Sequence, residues 1–539
     1  MVERRYLARF IPRSYVGSVS VFNSVYKVTL MTRRLSAVGR TALFAGAAAL
    51  TVTAVHAQPA AVVQFDADVA KAVKAWKTPG LAIVVVRNDT VLFAKGYGVR
   101  EMGKPEAIDA DTRFAIGSTT KAMTVLALGM LVDEGKVRWD APVIEYLPGF
   151  RLSDPYVTRE LTVRDLLTHR TGLGNADLLW AGADYGAEEI FRRMATLPLA
   201  YSFRSGFIYQ NIMYALAGDI VHAVSGMSWD AFLESRILGP LGMTSTVTRL
   251  AAIEGQPNVA RPHGEIDDTL RVLRNRAVDP VAPAGSVWSS VNDMAQWMRF
   301  VLDSGRVNGK RLVNETTFRQ WLSPQTVADP NTYPALSLAK PHFFLYALGW
   351  FLQDYNGHAV AMHTGSIDGM SAIIGLIPDK KLGVYVLANA DHVELRHALM
   401  YEVFDRFGGA AGVKKRDWSA ELLTMFNARH AQAVEAKAQT LARRVTGTKP
   451  SLPTAQYAGT YRHPTYGDAV ITANGEALHA RFGRAYEGDL THWQYETFRA
   501  RWANRQNGEG TIIFKPDGTG RISSLQLLGN TFTRAAPAR

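Results

Sequence analysis

Ser118 and Lys121 stand three positions apart at the head of an almost wholly apolar run, "GSTTKAMTVLALGMLVDEG", residues 117–135. Residues three apart share one face of a helix, so this spacing brings a hydroxyl and an amine together. A serine attacks a carbonyl only when a base takes its proton. A lysine serves as that base only when burial or a nearby cation keeps part of it neutral, and an apolar helix start offers burial. The N–H of Ser118, at a helix N-terminus, is also a ready donor to an oxyanion. Taken alone the pattern is weak. A serine at a helix start is commonly a cap, and a lysine is commonly solvated.

Two further stretches supply what such a pair lacks. Tyr209-Gln210-Asn211 falls in a loop just before a helix-like segment. There a tyrosine could act as a general base, and an asparagine could hold the lysine or a substrate amide. His363-Thr364-Gly365-Ser366 leads into a strand-like run. His363 could donate to a substrate carboxylate or carbonyl. Gly365 lets the backbone come close, and an N–H near Ser366 could be a second oxyanion donor. Each stretch alone also reads as ordinary structure, a hydrogen-bonded core tyrosine or a histidine in a turn. The G-x-S-x-G elbow, the H-E-x-x-H helix and the G-x-x-x-x-G-K-[ST] loop are absent from the sequence. His392 and His397, five apart, fall on different helical faces and read as ordinary surface or core histidines. No metal and no cofactor is expected.

The elements that must position these residues are legible in outline. "LAIVVV" (81–86) and "VLFAKGYG" (91–98) flank Arg87-Asn88-Asp89 and predict a hairpin. "SAIIGLIP" (371–378) and "VYVLANA" (384–390) predict a second one. Helical periodicity dominates from about 140 to 300. Strands at both ends with helices between them predict an α/β domain over 62–410, a sheet flanked by helices with a mostly helical subdomain. In 411–449, Trp418, Leu422, Phe426, Val434 and Leu441 form an apolar stripe, which predicts a connecting helix followed by a linker. From 450 to 537, short alternating runs with Asn-Gly and Asp-Gly turns predict a small all-β, barrel-like domain. Its Tyr461, His463, Tyr466, Trp493, Tyr495 and Arg499 read mostly as β-domain core. All the candidate catalytic residues precede the linker, so this domain is expected to shape the cleft without breaking bonds.

Charge and composition narrow the function. Of the net +12, residues 1–57 carry eight basic groups against Glu3, leaving +5 for the rest. No dense basic block with interleaved aromatics follows, so nucleic acid is not an expected partner. "MTRRLSAVGRTALFAGAAALTVTAVHAQPA" has a basic start, a short apolar stretch and the small-x-small site Val55-His56-Ala57. Residues 1–57 therefore read as an export signal whose true start is Met31. The apolar stretch is too short for a membrane span. A periplasmic or secreted chain beginning near Gln58 is expected. Without cysteine, it can hold neither disulfides nor thiolate metal sites.

The order Ser118-x-x-Lys121, Tyr209-x-Asn211, His363-Thr364-Gly365 resembles the penicillin-binding-protein and class C β-lactamase superfamily of serine hydrolases. "LTVRDLLTHRTGL" (161–173), "ILGPLGMTST" (237–246) and "PAGSVWSSVNDMAQWM" (283–298) resemble its β-lactamase-related branch. Residues 450–535 resemble the lipocalin-like domain that often follows it. The resemblance implies a β-lactamase/transpeptidase-like fold with an antiparallel sheet. It also assigns roles: Ser118 as acylated nucleophile, Lys121 and Tyr209 as general bases, Asn211 orienting Lys121 or the substrate. Ser118 and Ser366 supply oxyanion N–H groups, and Thr364 and Gly365 line the substrate strand. His363 stands where β-lactamases carry lysine. A histidine is mostly neutral at pH 7, which argues against efficient β-lactam hydrolysis. The expectation is an amide or ester hydrolase acting on short or D-amino-acid-containing peptides, with a carboxylesterase or an inactive peptidoglycan-binding protein as alternatives.

Overall fold

A computed structural model describes residues 60–183, 185–391, 394–409 and 416–536. The expected export signal and His392 lie outside the described residues. Among those described, no helix is long and apolar enough to cross a membrane.

Helix α1 (Ala60–Ala75) leads into the first hairpin, β1 (Gly80–Arg87) and β2 (Thr90–Gly98). Asn88 and Asp89 turn it with positive φ, a conformation that short polar side chains tolerate. The rest of the main sheet comes from β3 (Thr326–Val327), β4 (Phe344–Tyr346), β5 (Phe351–Tyr355), β6 (His358–Ile367), β7 (Met370–Ile377) and β8 (Leu382–Ala388). The order is β2-β1-β8-β7-β6-β5-β4-β3, and every pairing is antiparallel. The last strand of the domain thus pairs with the first.

Strands β1, β7 and β8 are uniform apolar runs because both faces of the sheet are covered. Ala82, Val84 and Val86 join the core shared with the helical subdomain, whereas Leu81, Ile83 and Val85 face α1 and α4 (Leu395–Phe407). Inside the helical subdomain, α2 (Lys121–Asp133) is buried on every side from Lys121 to Leu131, as its unbroken apolar sequence requires. Helix α3 (Ile212–Ser225) packs beside it and stops at Gly226 in the left-handed region.

The connecting helix α5 (Trp418–Ala442) departs from its expected stripe. Trp418 stacks on Tyr401 at 4.5 Å between ring centroids and, with Leu422, is buried. Phe426, Val434 and Leu441 instead remain 43%, 53% and 45% exposed. The helix leaves the α4 surface after its first turns, so periodicity alone overstated its packing.

Eight strands close the C-terminal barrel: β9 (Gly459–His463), β10 (Gly467–Asn474), β11 (Ala477–Phe482), β12 (Tyr486–Gln494), β13 (Thr497–Trp502), β14 (Glu509–Pro516), β15 (Ile522–Leu527) and β16 (Asn530–Arg534). Tyr457, Tyr461, Phe482, Trp502, Phe514 and Phe532 fill its interior. Tyr461 and Tyr466 are buried as expected of core, but Tyr495 is 56% exposed. Trp493 is covered instead by the guanidinium groups of Arg444 and Arg499.

Candidate active site

Ser118 lies in a single 3-10 turn, Gly117–Thr120, which runs directly into α2. Two glycines bring this turn against β6. A Cβ on Gly117 would stand 2.6 Å from Ser366 N, and one on Gly365 would stand 1.9 Å from the Ile116 carbonyl oxygen. Gly117 also has φ +53, where a side chain is strained. The backbone nitrogens of Ser118 and Ser366 are therefore drawn to one place, as an oxyanion site requires. Strand β5 pairs with β6 only as far as Met362, so beyond it β6 has a strand neighbour on one side alone.

Lys121 is fully buried; its Nζ donates to Asn211 Oδ1 at 2.7 Å and to the Ala284 carbonyl at 2.9 Å, and lies 3.0 Å from Ser118 Oγ, from which its neutral form can accept. The rings of Tyr209 and Tyr214 stand 4.7 and 5.2 Å from the same nitrogen. Burial holds its pKa well below the ordinary lysine value, opposed by the negative charge of Asp177. Burial thus favours the neutral amine, the form that can accept a proton.

The Tyr209 hydroxyl is buried with no hydrogen-bond partner of full geometry among the described residues. Burial raises its pKa well above 10, tempered by the nearby Ser118. Tyr209 therefore rests as a neutral hydroxyl.

His363 takes a place other than the expected one. It is 1% exposed, and its Nδ1 lies 2.6 Å from the Thr364 carbonyl oxygen. A carbonyl only accepts, so Nδ1 carries the proton and Nε2 accepts from the Tyr346 hydroxyl at 3.1 Å. Burial, then the charges of Lys121 and Arg396, push its pKa down to about 3. The ring is neutral and both nitrogens are engaged within the protein, so it supports β6 from beneath. Thr364 Oγ1 bonds the Tyr333 hydroxyl at 2.8 Å. The eight candidates lie around one turn, one strand and one loop, with His363 behind the others.

Three residues of this network, Asp177, Arg396 and His169, were not among the candidates read from the sequence. Asn211 Nδ2 donates to both Asp177 carboxylate oxygens, at 3.1 and 3.2 Å, which orients its Oδ1 towards Lys121. The nearly buried Arg396 donates from Nη1 to the Gly365 carbonyl and Ser366 Oγ, both at 2.9 Å, and so braces β6 from α4. Its only signal was a cation at the start of an apolar helix. His169 accepts the Gln210 N–H at 3.1 Å and packs its ring 4.2 Å from that of Tyr209. It sits within the "LTHRTGL" stretch, where a left-handed φ of +58 marks a strained position. His397 is buried, with Nδ1 2.7 Å from Glu394 Oε2.

The chain is 32% identical over 442 residues to the unguisins hydrolase ungD of Aspergillus violaceofuscus (strain CBS 115571), covering 77% of this chain and 78% of that protein. It is 27% identical over 319 residues to protein flp of Staphylococcus aureus (strain MW2), covering 58% and 59%. The octameric penicillin-binding protein homologue of Pyrococcus abyssi superposes with a TM-score of 0.57 at 22% identity, over 87% of this chain and 99% of that one. A class C beta-lactamase of Rhodobacter sphaeroides gives 0.52 at 21%, over 64% and 99%. Residues 443–536 match a domain of unknown function (DUF3471). Residues 65–404 match the Beta-lactamase family model, and the chain belongs to that family, as a hydrolase of the β-lactamase fold.

Proposed function

We propose that the protein is an exported serine hydrolase that cleaves amide bonds of short or D-amino-acid-containing peptides through a Ser118 acyl-enzyme. The observation that carries the reading is the buried Lys121 Nζ, 3.0 Å from Ser118 Oγ, in surroundings that favour its neutral form. Ser118 gives its proton to Lys121 as Oγ attacks the substrate carbonyl. The oxyanion is held by the N–H groups of Ser118 and Ser366. Lys121 returns the proton to the leaving amine by way of the Tyr209 hydroxyl. A water then enters, loses a proton to the same pair and bonds the acyl carbon; the carbon–Oγ bond breaks, Ser118 Oγ takes that proton back and the acid leaves. Asn211 keeps the lysine aimed at Ser118 throughout.

The neutral, buried His363 supports peptide over β-lactam hydrolysis. It offers no fixed cation for the carboxylate of a penicillin, such as a lysine would supply. The relatives named as unguisins hydrolases support a hydrolytic rather than a purely binding role. The basic and apolar residues before Gln58 motivate export; secreted protein whose N-terminus falls near Gln58 by mass spectrometry supports it, and protein retained with residues 31–57 rejects it.

The test is a screen of the parent and Ser118→Ala against nitrophenyl esters, D- and L-aminoacyl amides, unguisins and nitrocefin. The parent should turn over aminoacyl amides faster than nitrocefin, and Ser118→Ala should lose at least about 1000-fold in kcat with unchanged circular dichroism. Ester turnover without amide turnover would reassign the chain as a carboxylesterase. Full activity in Ser118→Ala would remove the mechanism.

A further inference from the structure

The strap Asp177–Ala183 lies between the catalytic network and the barrel, and it is held at both ends. Its inner end is Asp177, whose carboxylate receives Asn211 Nδ2 at 3.1 and 3.2 Å and Trp180 Nε1 at 2.7 Å. Its outer end is packed so closely on the barrel that no side chain fits. A Cβ on Gly483 would stand 2.1 Å from the Gly182 carbonyl oxygen, and one on Gly182 would stand 3.0 Å from the Tyr486 ring. Just beyond, the Tyr185 hydroxyl donates to the Tyr466 carbonyl at 3.1 Å. From the side, Arg276 lies over the Trp180 ring, donates to the Ala181 carbonyl and pairs with Asp368 at 2.9 Å. Asp368 is two residues beyond Ser366 at the end of β6.

Tyr486 and Gly483 of the barrel meet Gly182, whose N–H bonds the carbonyl of Leu178, the residue after Asp177, at 3.1 Å, and the line continues from Asp177 through Asn211 and Lys121 to Ser118. We infer that Asp177 is a positioning residue through which the barrel keeps Asn211, and so Lys121, aligned on Ser118. The barrel then sets the rate of proton transfer without contributing a reacting group. The inference rests on the serine-hydrolase reading above. Its physical basis is the steep dependence of rate on alignment, where about 1 Å of misplacement costs on the order of a hundredfold. A one-turn helix, Leu178–Ala181, has too few internal bonds to hold Asp177 without support.

The test is a kinetic cycle in the full chain, using a small nitrophenyl ester, with Asp177→Asn, Tyr486→Ala and the double variant. Tyr486→Ala should lower kcat on the order of tenfold, though the change lies in the barrel. The double variant should lose no more than Asp177→Asn alone, since both act through one link. Asp177→Asn should also move the acid limb of the kcat profile to lower pH. It removes the one carboxylate among the described residues that faces Lys121, while Tyr209, Tyr214, His169 and His363, the other described titratable groups around that amine, are untouched. A merely structural Asp177 would lower the rate without moving that limb. If Tyr486→Ala loses the barrel's circular dichroism, Arg276→Gln at the strap's other anchor takes its place in the cycle. Unchanged kcat in the barrel variant, or losses that multiply in the double, overturns the inference while Ser118 dependence persists. Retained activity in Ser118→Ala overturns the serine reading, and the inference with it.

Discussion

Acid should destabilise the fold through His363. In the folded chain its two nitrogens are committed to the Thr364 carbonyl and the Tyr346 hydroxyl, and its pKa lies at about 3 against 6.5 for a free histidine. Between those values the unfolded chain binds a proton that the folded chain refuses. Stability from this group is therefore complete above about pH 6.5 and is lost as pH falls towards about 3. Each pH unit within the window removes about 1.4 kcal/mol. The loss is about 3 kcal/mol at pH 4.5 and about 5 kcal/mol over the whole window. His169, buried beside Tyr209, is shifted in the same direction and adds to the parent's acid sensitivity. Burial, the largest cause of that shift, is untouched in a His363→Gln variant; only the lesser repulsion from a charged His363 is lost, which also makes the variant less sensitive to acid. That variant should begin less stable at pH 7, because Tyr346 and Thr364 lose their shared partner. From pH 6 to pH 4.5 its stability should then fall less steeply than the parent's, by about 1.4 kcal/mol per unit. Urea denaturation of both chains at half-unit steps, read by circular dichroism, measures the two slopes. Equal slopes would show that His363 is not held neutral by burial, and the argument for its supporting role would fail.

Lys121 and Tyr209 form one proton-transfer unit, so Lys121→Met and Tyr209→Phe should each cost about 100- to 10,000-fold in kcat. The double variant should lose no more than the worse single one; steady-state kinetics in which the losses multiply would assign them separate roles. Trp418 is buried, stacks on Tyr401 and donates to Asp405 Oδ2 at 2.7 Å. Trp418→Ala should cost about 3–5 kcal/mol in urea denaturation and free the start of α5, with kcat on a small ester unchanged. A loss below about 1 kcal/mol would mean that α5 is held elsewhere.

The chemistry that depends on short separations along the chain was legible from residue order. Ser118 and Lys121 share a helix face because three positions is nearly one turn. Tyr209 and Asn211 meet them because a loop ends in a helix cap, and Gly365 permits the close backbone approach seen at Ile116. The two hairpins and the barrel's turns were readable for the same reason, since alternation and Asn-Gly or Asp-Gly turns are local signals. What the fold alone decided is the state of those groups. Burial comes from segments far apart in sequence, and it is burial that favours the neutral form of Lys121, keeps the Tyr209 hydroxyl neutral and engages both nitrogens of His363 within the protein. Asp177 and Arg396 lie within no motif; only the folded chain places one against Asn211 and the other under Gly365. The stripe of α5 shows the converse. Periodicity grouped Phe426, Val434 and Leu441 with Trp418 and Leu422 in one stripe, but a helix buries its apolar face only where another element lies against it, and among the described residues α5 is buried at Trp418 and Leu422, partly covered at Met425, and largely exposed at Val434 and Leu441.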